Sequence, residues 1–134
     1  MLKGRVALVT GGTSSVGAAI VSELASGGAT VIVHYYASMA QANALRDRLN
    51  AAGLNSFSIG ADLRDTAQIS ELVMKVKHCV GPIDILVNNA GIALTEDLAA
   101  DIDIAEWKKL FAINVEAPFF LIKRTLPGMR ERRW

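Results

Sequence analysis

The segment Thr10-Gly11-Gly12-Thr13-Ser14-Ser15-Val16-Gly17 joins an apolar run, Arg5–Thr10, to a helical pattern. That placement suits anion binding. A glycine directly after a strand permits a tight turn, and one in the first helical turn lets the helix approach the sheet closely. The helix N-terminus then offers unpaired backbone N–H groups and the positive end of its dipole to a pyrophosphate. The hydroxyls of Thr13, Ser14 and Ser15 add donors. Helix–strand connections often need glycine for packing alone, so the loop by itself names no ligand.

Other polar positions follow strand-like runs. Asp62-Leu63 lies beyond the third run and Asn88-Asn89-Ala90-Gly91 beyond the fourth. As isolated residues Asp62 could cap a turn and the asparagines could form one. Asn114 has its own physical argument. Pro118 stands four residues later and lacks an N–H, so the Asn114 carbonyl loses its helical partner and the helix kinks there. Asp84, inside the fourth strand, reads as a structural hydrogen-bonding group, and His34 as a strand-end residue rather than a catalyst.

The elements that must position these residues alternate. Strands are expected at Arg5–Thr10, Thr30–His34, Ser56–Gly60 and Ile83–Val87. The first helix runs from about Ser15 to Gly28, with Val16, Ala19, Ile20 and Leu24 on its inner face. Ser38 and Gln41 are spaced as a capping box that opens the second, whose inner positions are Ala42, Leu45, Leu49 and Ala52, with Gly53 as the stop. Asp65 and Gln68 open the third, with Ile69, Leu72, Val73 and Val76 inward. Asp103 and Glu106 cap a long fourth helix, with Ile102 and Trp107 as its staple and Ile104, Trp107, Leu110, Phe111 and Val115 as its inner stripe. Alternating strands and helices imply right-handed βαβ crossovers, hence an α/β, doubly wound parallel sheet of Rossmann-like type over residues 1–134.

Composition agrees with a single domain. The chain has 134 residues, 51% apolar and 20% charged, which excludes disorder and leaves no room for two ordinary domains. No apolar run reaches the roughly 18–20 residues that span a bilayer. No signal-peptide pattern opens the sequence, and Cys79 alone forms no intrachain disulfide, so a reducing, cytoplasmic setting is expected. Net charge is +1, but five of the 14 basic residues fall after residue 122 beside one acid. Without interleaved aromatics, that cluster reads as a helix C-terminus complementing its dipole rather than a nucleic-acid surface.

With Thr10, Gly11 and Gly17 in register, the sequence resembles the short-chain dehydrogenase/reductase family, whose signature is Thr-Gly-x-x-x-Gly-x-Gly. It departs at the middle glycine, where Ser15 either joins the phosphate cradle or crowds it. The resemblance implies that Asp62 and Leu63 hold an adenine ring and that Asn89, Ala90 and Gly91 border the cofactor. It also implies that Asn114 belongs to the catalytic Asn-Ser-Tyr-Lys tetrad, its backbone carbonyl holding a water in a proton relay. The implied chemistry is hydride transfer between NAD or NADP and a carbonyl or alcohol. Cofactor-binding positions are then Gly11, Thr13, Ser14, Ser15, Val16, Gly17, Tyr35, Tyr36, Ser38, Asp62, Leu63, Asn89, Ala90 and Gly91.

NAD-binding sites of this class place an acid at the end of the second strand for the ribose 2′-hydroxyl. Here that region is His34-Tyr35-Tyr36-Ala37-Ser38, so a 2′-phosphate meets no repulsion and Tyr36 or Ser38 can donate to it. NADP is the expected cofactor, with NAD as the alternative, although Ser14 occupies the loop position where NADP-binding members often carry Arg or Lys.

The family's Tyr-x-x-x-Lys is missing, because Tyr35 and Tyr36 are followed at the fourth position by Met39 and Ala40. The doubly wound sheet is therefore expected to be truncated after about four βα units. The fourth strand would be left at an edge, and Phe111, Phe119, Phe120, Leu121 and Ile122 would be partly exposed. Three readings follow: the cofactor-binding half of a reductase that needs the missing elements, a stand-alone dinucleotide-binding module, or a truncated product without function. The expected partners are a dinucleotide, a small carbonyl or alcohol substrate if the site is completed, and further copies in a homo-oligomer. Neither nucleic acid nor a membrane is expected.

Overall fold

Four short apolar runs become four parallel strands in the computed structural model, which describes residues 1–95 and 99–134. The strands are β1 (Val6–Val9), β2 (Thr30–Tyr35), β3 (Ser56–Gly60) and β4 (Ile85–Val87). Between and after them lie α1 (Ser15–Ser26), α2 (Met39–Ala51), α3 (Thr66–Cys79), α4 (Ile104–Phe111) and α5 (Ala117–Glu131). The sheet order is β3-β2-β1-β4, with Val6 to Val9 paired to Thr30 to Val33 on one side and Ala7 to Val9 paired to Ile85 to Val87 on the other. The chain moves outward from β1 through β2 to β3, then crosses back to place β4 on the far side of β1. The crevice beyond the carboxyl ends of β1 and β4 is therefore the switch point at which doubly wound sheets bind ligands. As expected, β4 is a terminal strand among those described.

Side-chain alternation along the strands builds two cores. Leu8 and Ile32 face one layer, packing with Ile69, Leu72 and Val76 of α3 and Ala117 and Leu121 of α5. Ala7, Val9, Val31 and Val33 face the other, against Val21 and Ala25 of α1 and Ala42, Leu45 and Leu49 of α2. Both faces of the sheet are covered, which is why β1 and β2 are apolar on successive residues.

Several details differ from the sequence pattern. The inner face of α1 is Gly17, Val21 and Ala25, while Val16 is 62% exposed and Ala19 faces solvent. The rotation is set by Gly17, where a Cβ would lie 2.3 Å from the Gly11 carbonyl oxygen. Only glycine allows that approach, and Gly17 carries the positions four and eight residues later inward with it. Ser38 precedes α2 but makes no side-chain cap, because its hydroxyl is paired with that of Thr13 at 2.7 Å. Ala52, expected inside, is exposed. Asp65 caps α3 by accepting from the Ala67 N–H at 2.8 Å, but Gln68 Oε1 accepts instead from the Asp62 N–H at 2.8 Å.

The long fourth helix is three pieces. Asp103 caps α4 through the Ala105 N–H at 3.3 Å, and a π-helical turn, Ala112–Glu116, joins it to α5. Pro118 cannot donate to the Asn114 carbonyl, and the backbone widens in the turn just before it, with the Ala117 N–H donating to the Ala112 carbonyl. The expected inner stripe is outside: Ile104, Trp107, Phe111 and Val115 are exposed. The buried positions are Ala117, Leu121 and Thr125 of α5. Phe119 and Ile122 are exposed as expected, whereas Leu121 is fully buried.

The basic end of the chain has a specific partner. Asp84 is buried, accepting from the Val6 N–H and from Arg132 Nε, each at 3.1 Å. Arg132 also donates to the Ile83 carbonyl at 2.8 Å. Arg5 approaches Asp84 at 3.7 Å and lies 3.6 Å from the centre of the Trp134 ring. These contacts tie the end of α5 to the amino ends of β1 and β4.

Candidate functional site

The loop after β1 is held from three sides. Gly11 adopts φ +61°, and a Cβ there would lie 2.9 Å from Ala90 Cα, so the turn and the close approach both require glycine. Asn89 Nδ2 donates to the carbonyls of Thr10 and Gly11 at 3.0 and 2.9 Å. Thr10 Oγ1 accepts from the N–H groups of Asn89 and Ala90 at 3.1 and 3.0 Å. The loops after β1 and β4 thereby become one unit.

His34 supplies the third side. Its ring is 2% exposed; Nδ1 accepts from the Gly11 N–H at 3.1 Å, and Nε2 lies 3.0 Å from the Ala61 carbonyl. Those partners require a neutral imidazole with its proton on Nε2. Burial lowers the His34 pKa from 6.5, against a smaller opposing effect of the bond to Ala61. His34, near the end of β2, is thus the brace joining the loops after β1 and β3.

Ser14 is the N-cap of α1: its hydroxyl accepts from the Gly17 N–H at 3.0 Å and lies 3.1 Å from the Gly11 carbonyl, to which it donates. It is thus already engaged in shaping the loop, rather than a spare donor. Ser15 and Val16 face solvent in the first turn of α1, and Gly17 is buried behind the loop.

Around this loop opens a cavity of about 700 Å³, within the size range of small-molecule and cofactor sites. It brings Gly11, Thr13 and Ser14 together with Tyr35, Tyr36 and Ser38. The opposite wall is formed by Asp62, Leu63, Asn89, Ala90 and Gly91. Ser15, Val16 and Gly17 do not line it, nor does Asn114, although its neighbour Ile113 does. Ser15, at the family's middle-glycine position, begins α1 just beyond those lining residues.

Two lining cations escaped the sequence reading, Arg64 and Lys109. Arg64 Nε donates to Asp62 Oδ1 and Oδ2 at 2.9 and 3.0 Å, and its NH2 group donates to Asp62 Oδ2 at 2.6 Å and to the Tyr36 hydroxyl at 2.8 Å. The guanidinium holds the Asp62 carboxyl below its usual range, and the carboxylate in turn raises the Arg64 pKa. No pattern within the segment marks Arg64, because Tyr36 is 28 residues away and reaches it only through the adjacency of β2 and β3.

Asn114 lies in the π turn. Its Oδ1 accepts from the Ile92 N–H at 2.9 Å, and its Nδ2 donates to the Ile92 carbonyl at 2.7 Å. The side chain is thus committed to the segment after β4. No group of three or more metal-ligating side chains occurs among the described residues, and no helix there is long and apolar enough to cross a membrane.

Residues 5–134 match the family model for short chain dehydrogenase. The chain is 36% identical over 139 aligned positions to a D-beta-hydroxybutyrate dehydrogenase of Cupriavidus necator, covering all of this chain and 51% of that protein. Among solved structures, a blue fluorescent protein from a metagenomic library in complex with NADPH superposes with a TM-score of 0.90 at 38% identity, covering 96% of this chain and 52% of the other. A metagenomic short-chain oxidoreductase in complex with NADP gives 0.91 at 34% identity, with 96% and 57% covered. The chain spans about half the length of the curated relatives it matches.

Proposed function

The chain belongs to the short-chain dehydrogenase family, and on that premise we propose that it forms the dinucleotide-binding portion of an oxidoreductase, taking NADP in preference to NAD. One observation carries the reading. The cavity lies at the switch point of the sheet and its wall at the end of β2 holds no acid, while Arg64, from the loop after β3, reaches Tyr36 of that wall. The NADP and NADPH bound to the two structural relatives support the same choice.

The residues divide the task by chemistry. Gly11, Thr13 and the N-terminus of α1 face the pyrophosphate, where fixed backbone donors suit a dianion. Asp62 accepts from the adenine amine and Leu63 packs on the ring. Tyr35, Tyr36 and Ser38 line the ribose end. Asn89, Ala90 and Gly91 form the wall toward the nicotinamide, and Asn89 keeps the phosphate loop in place. The bound dinucleotide supplies a hydride donor or acceptor for a carbonyl or alcohol.

Reaction is a second matter. No Tyr-x-x-x-Lys pair occurs in these 134 residues, and proton exchange with a substrate oxygen in this family uses that pair. The chain then binds the dinucleotide, and catalysis requires the serine, tyrosine and lysine from elsewhere. The exposed apolar stripe along α4 and α5, including Trp107, Phe111 and Phe119, supports assembly with further copies. The lone cysteine supports a cytoplasmic setting. Equilibrium titration with NADPH and NADH, read by nicotinamide fluorescence, tests the reading. Saturable binding with tighter NADPH supports it; tighter NADH overturns the preference, and binding of neither overturns the whole reading.

A further inference from the structure

Arg64 is both a wall of the cavity and a lock on the residue assigned to the adenine amine. Its guanidinium donates to both oxygens of Asp62, the shortest contact being 2.6 Å, and spans to the Tyr36 hydroxyl at 2.8 Å. Tyr36 accepts in that contact, so its own proton remains available to a second acceptor. Nearby, the Thr13 and Ser38 hydroxyls pair at 2.7 Å, bridging the phosphate loop and the start of α2. A cation and three hydroxyls therefore meet where the loops after β1, β2 and β3 converge.

Building on the dinucleotide reading above, we propose that Arg64 reads the adenosine 2′-phosphate, changing partner from Asp62 to the phosphate as NADP binds. The Asp62–Arg64 pair is reached by solvent, its side chains 21% and 38% exposed, so an incoming anion can approach the guanidinium without unpacking the core. A 2′-phosphate carries nearly two negative charges and three acceptor oxygens, so it competes well for a planar guanidinium. Tyr36 holds the guanidinium on the ribose side during the exchange, through its hydroxyl and through its ring face, 5.2 Å away. Transfer of Arg64 frees the carboxylate of Asp62 to accept from the adenine amine. NAD offers Arg64 no substitute, so its adenine must compete with the arginine for Asp62. One exchange of partner thus favours NADP and disfavours NAD.

The test uses the adenosine halves of the cofactors, adenosine 2′,5′-bisphosphate and ADP, with NADP and NAD alongside. Affinities are measured by calorimetry for the unmodified chain and for Arg64→Gln. The substitution should weaken the 2′-phosphorylated ligands by about 10- to 100-fold and leave ADP and NAD equal or tighter, since Asp62 is released. Tyr36→Phe should weaken the 2′-phosphorylated ligands alone, by a smaller factor. If NADP binds and Arg64→Gln binds it equally well, or loses both ligand classes alike, the inference is overturned while the dinucleotide reading stands. An unmodified chain that binds none of the four ligands overturns both.

Discussion

The side-chain amide of Asn114 clasps the backbone of Ile92 in both directions, Oδ1 accepting from its N–H at 2.9 Å and Nδ2 donating to its carbonyl at 2.7 Å. This ring of two hydrogen bonds ties the π turn Ala112–Glu116 to the segment after β4, across 22 residues of sequence. It requires an acceptor and a donor on one planar group, which only an amide of this length supplies. Asn114→Ala should cost about 1–2 kcal/mol in urea denaturation. Asn114→Asp should cost at least as much above pH 5, since the carboxylate has no donor for the Ile92 carbonyl. An unchanged midpoint in both variants would show that the clasp contributes nothing to stability.

His34 makes stability depend on pH. Its pKa in the folded chain lies below the unfolded value of 6.5, chiefly because the ring is buried. Between those two values the unfolded chain binds more protons than the folded one, so stability falls as pH drops through 6.5. The contribution is full above 6.5. A proton on Nδ1 would also face the Gly11 N–H donor and push the phosphate loop away. Asp62, whose pKa is lowered by Arg64, contributes in a separate window below 3.8. Urea midpoints at pH 7.5 and 5.5 should therefore differ, the lower pH being less stable, and His34→Gln should reduce the difference. A chain equally stable at both values would contradict this account.

Gly17 fixes both the rotation of α1 and the shape of the loop. A methyl group there would meet the Gly11 carbonyl at 2.3 Å and Asn89 Nδ2 at 2.7 Å, and neither partner is free to retreat. Gly17→Ala should destabilise the chain by about 1–3 kcal/mol and weaken dinucleotide binding together with it. Thermal denaturation with and without NADP measures both effects. Wild-type stability in this variant would mean that the loop can shift as a body.

The Asp84–Arg132 contact makes the basic end of α5 structural. Arg132→Ala leaves a buried carboxylate with the Val6 N–H and only a distant Arg5 at 3.7 Å. The expected loss is on the order of 1–3 kcal/mol, larger than for Arg133→Ala. Equal effects of the two substitutions on the melting temperature would return the cluster to a general dipole effect.

What the sequence made legible follows physical range. The four strands and their parallel direction are readable because buried strands are apolar on both faces and the helices between them keep a 3.6 period. The inner face of α1 was misread by one residue, since apolarity favoured Val16 while a backbone contact with Gly11 demanded Gly17. Ser38 does stand at the N-cap of α2, but its hydroxyl makes no cap because its partner, Thr13, is 25 residues away. The α4 stripe has the period of a buried face, yet Trp107 and Phe111 stay exposed, their ring centres 4.6 Å apart. Arg64 carried no local signal at all; only the pairing of β2 with β3 brings it to Tyr36.

Binding of NADP in the crevice beyond β1 and β4 is open to residue-resolved amide shifts on titration with NADP. Saturable shifts should concentrate at Gly11, Thr13, Ser14, Tyr36, Asp62, Arg64, Asn89 and Ala90, with smaller ones at the same positions for NAD. Shifts that cluster away from this crevice, or an unperturbed spectrum at saturating NADP, would contradict it.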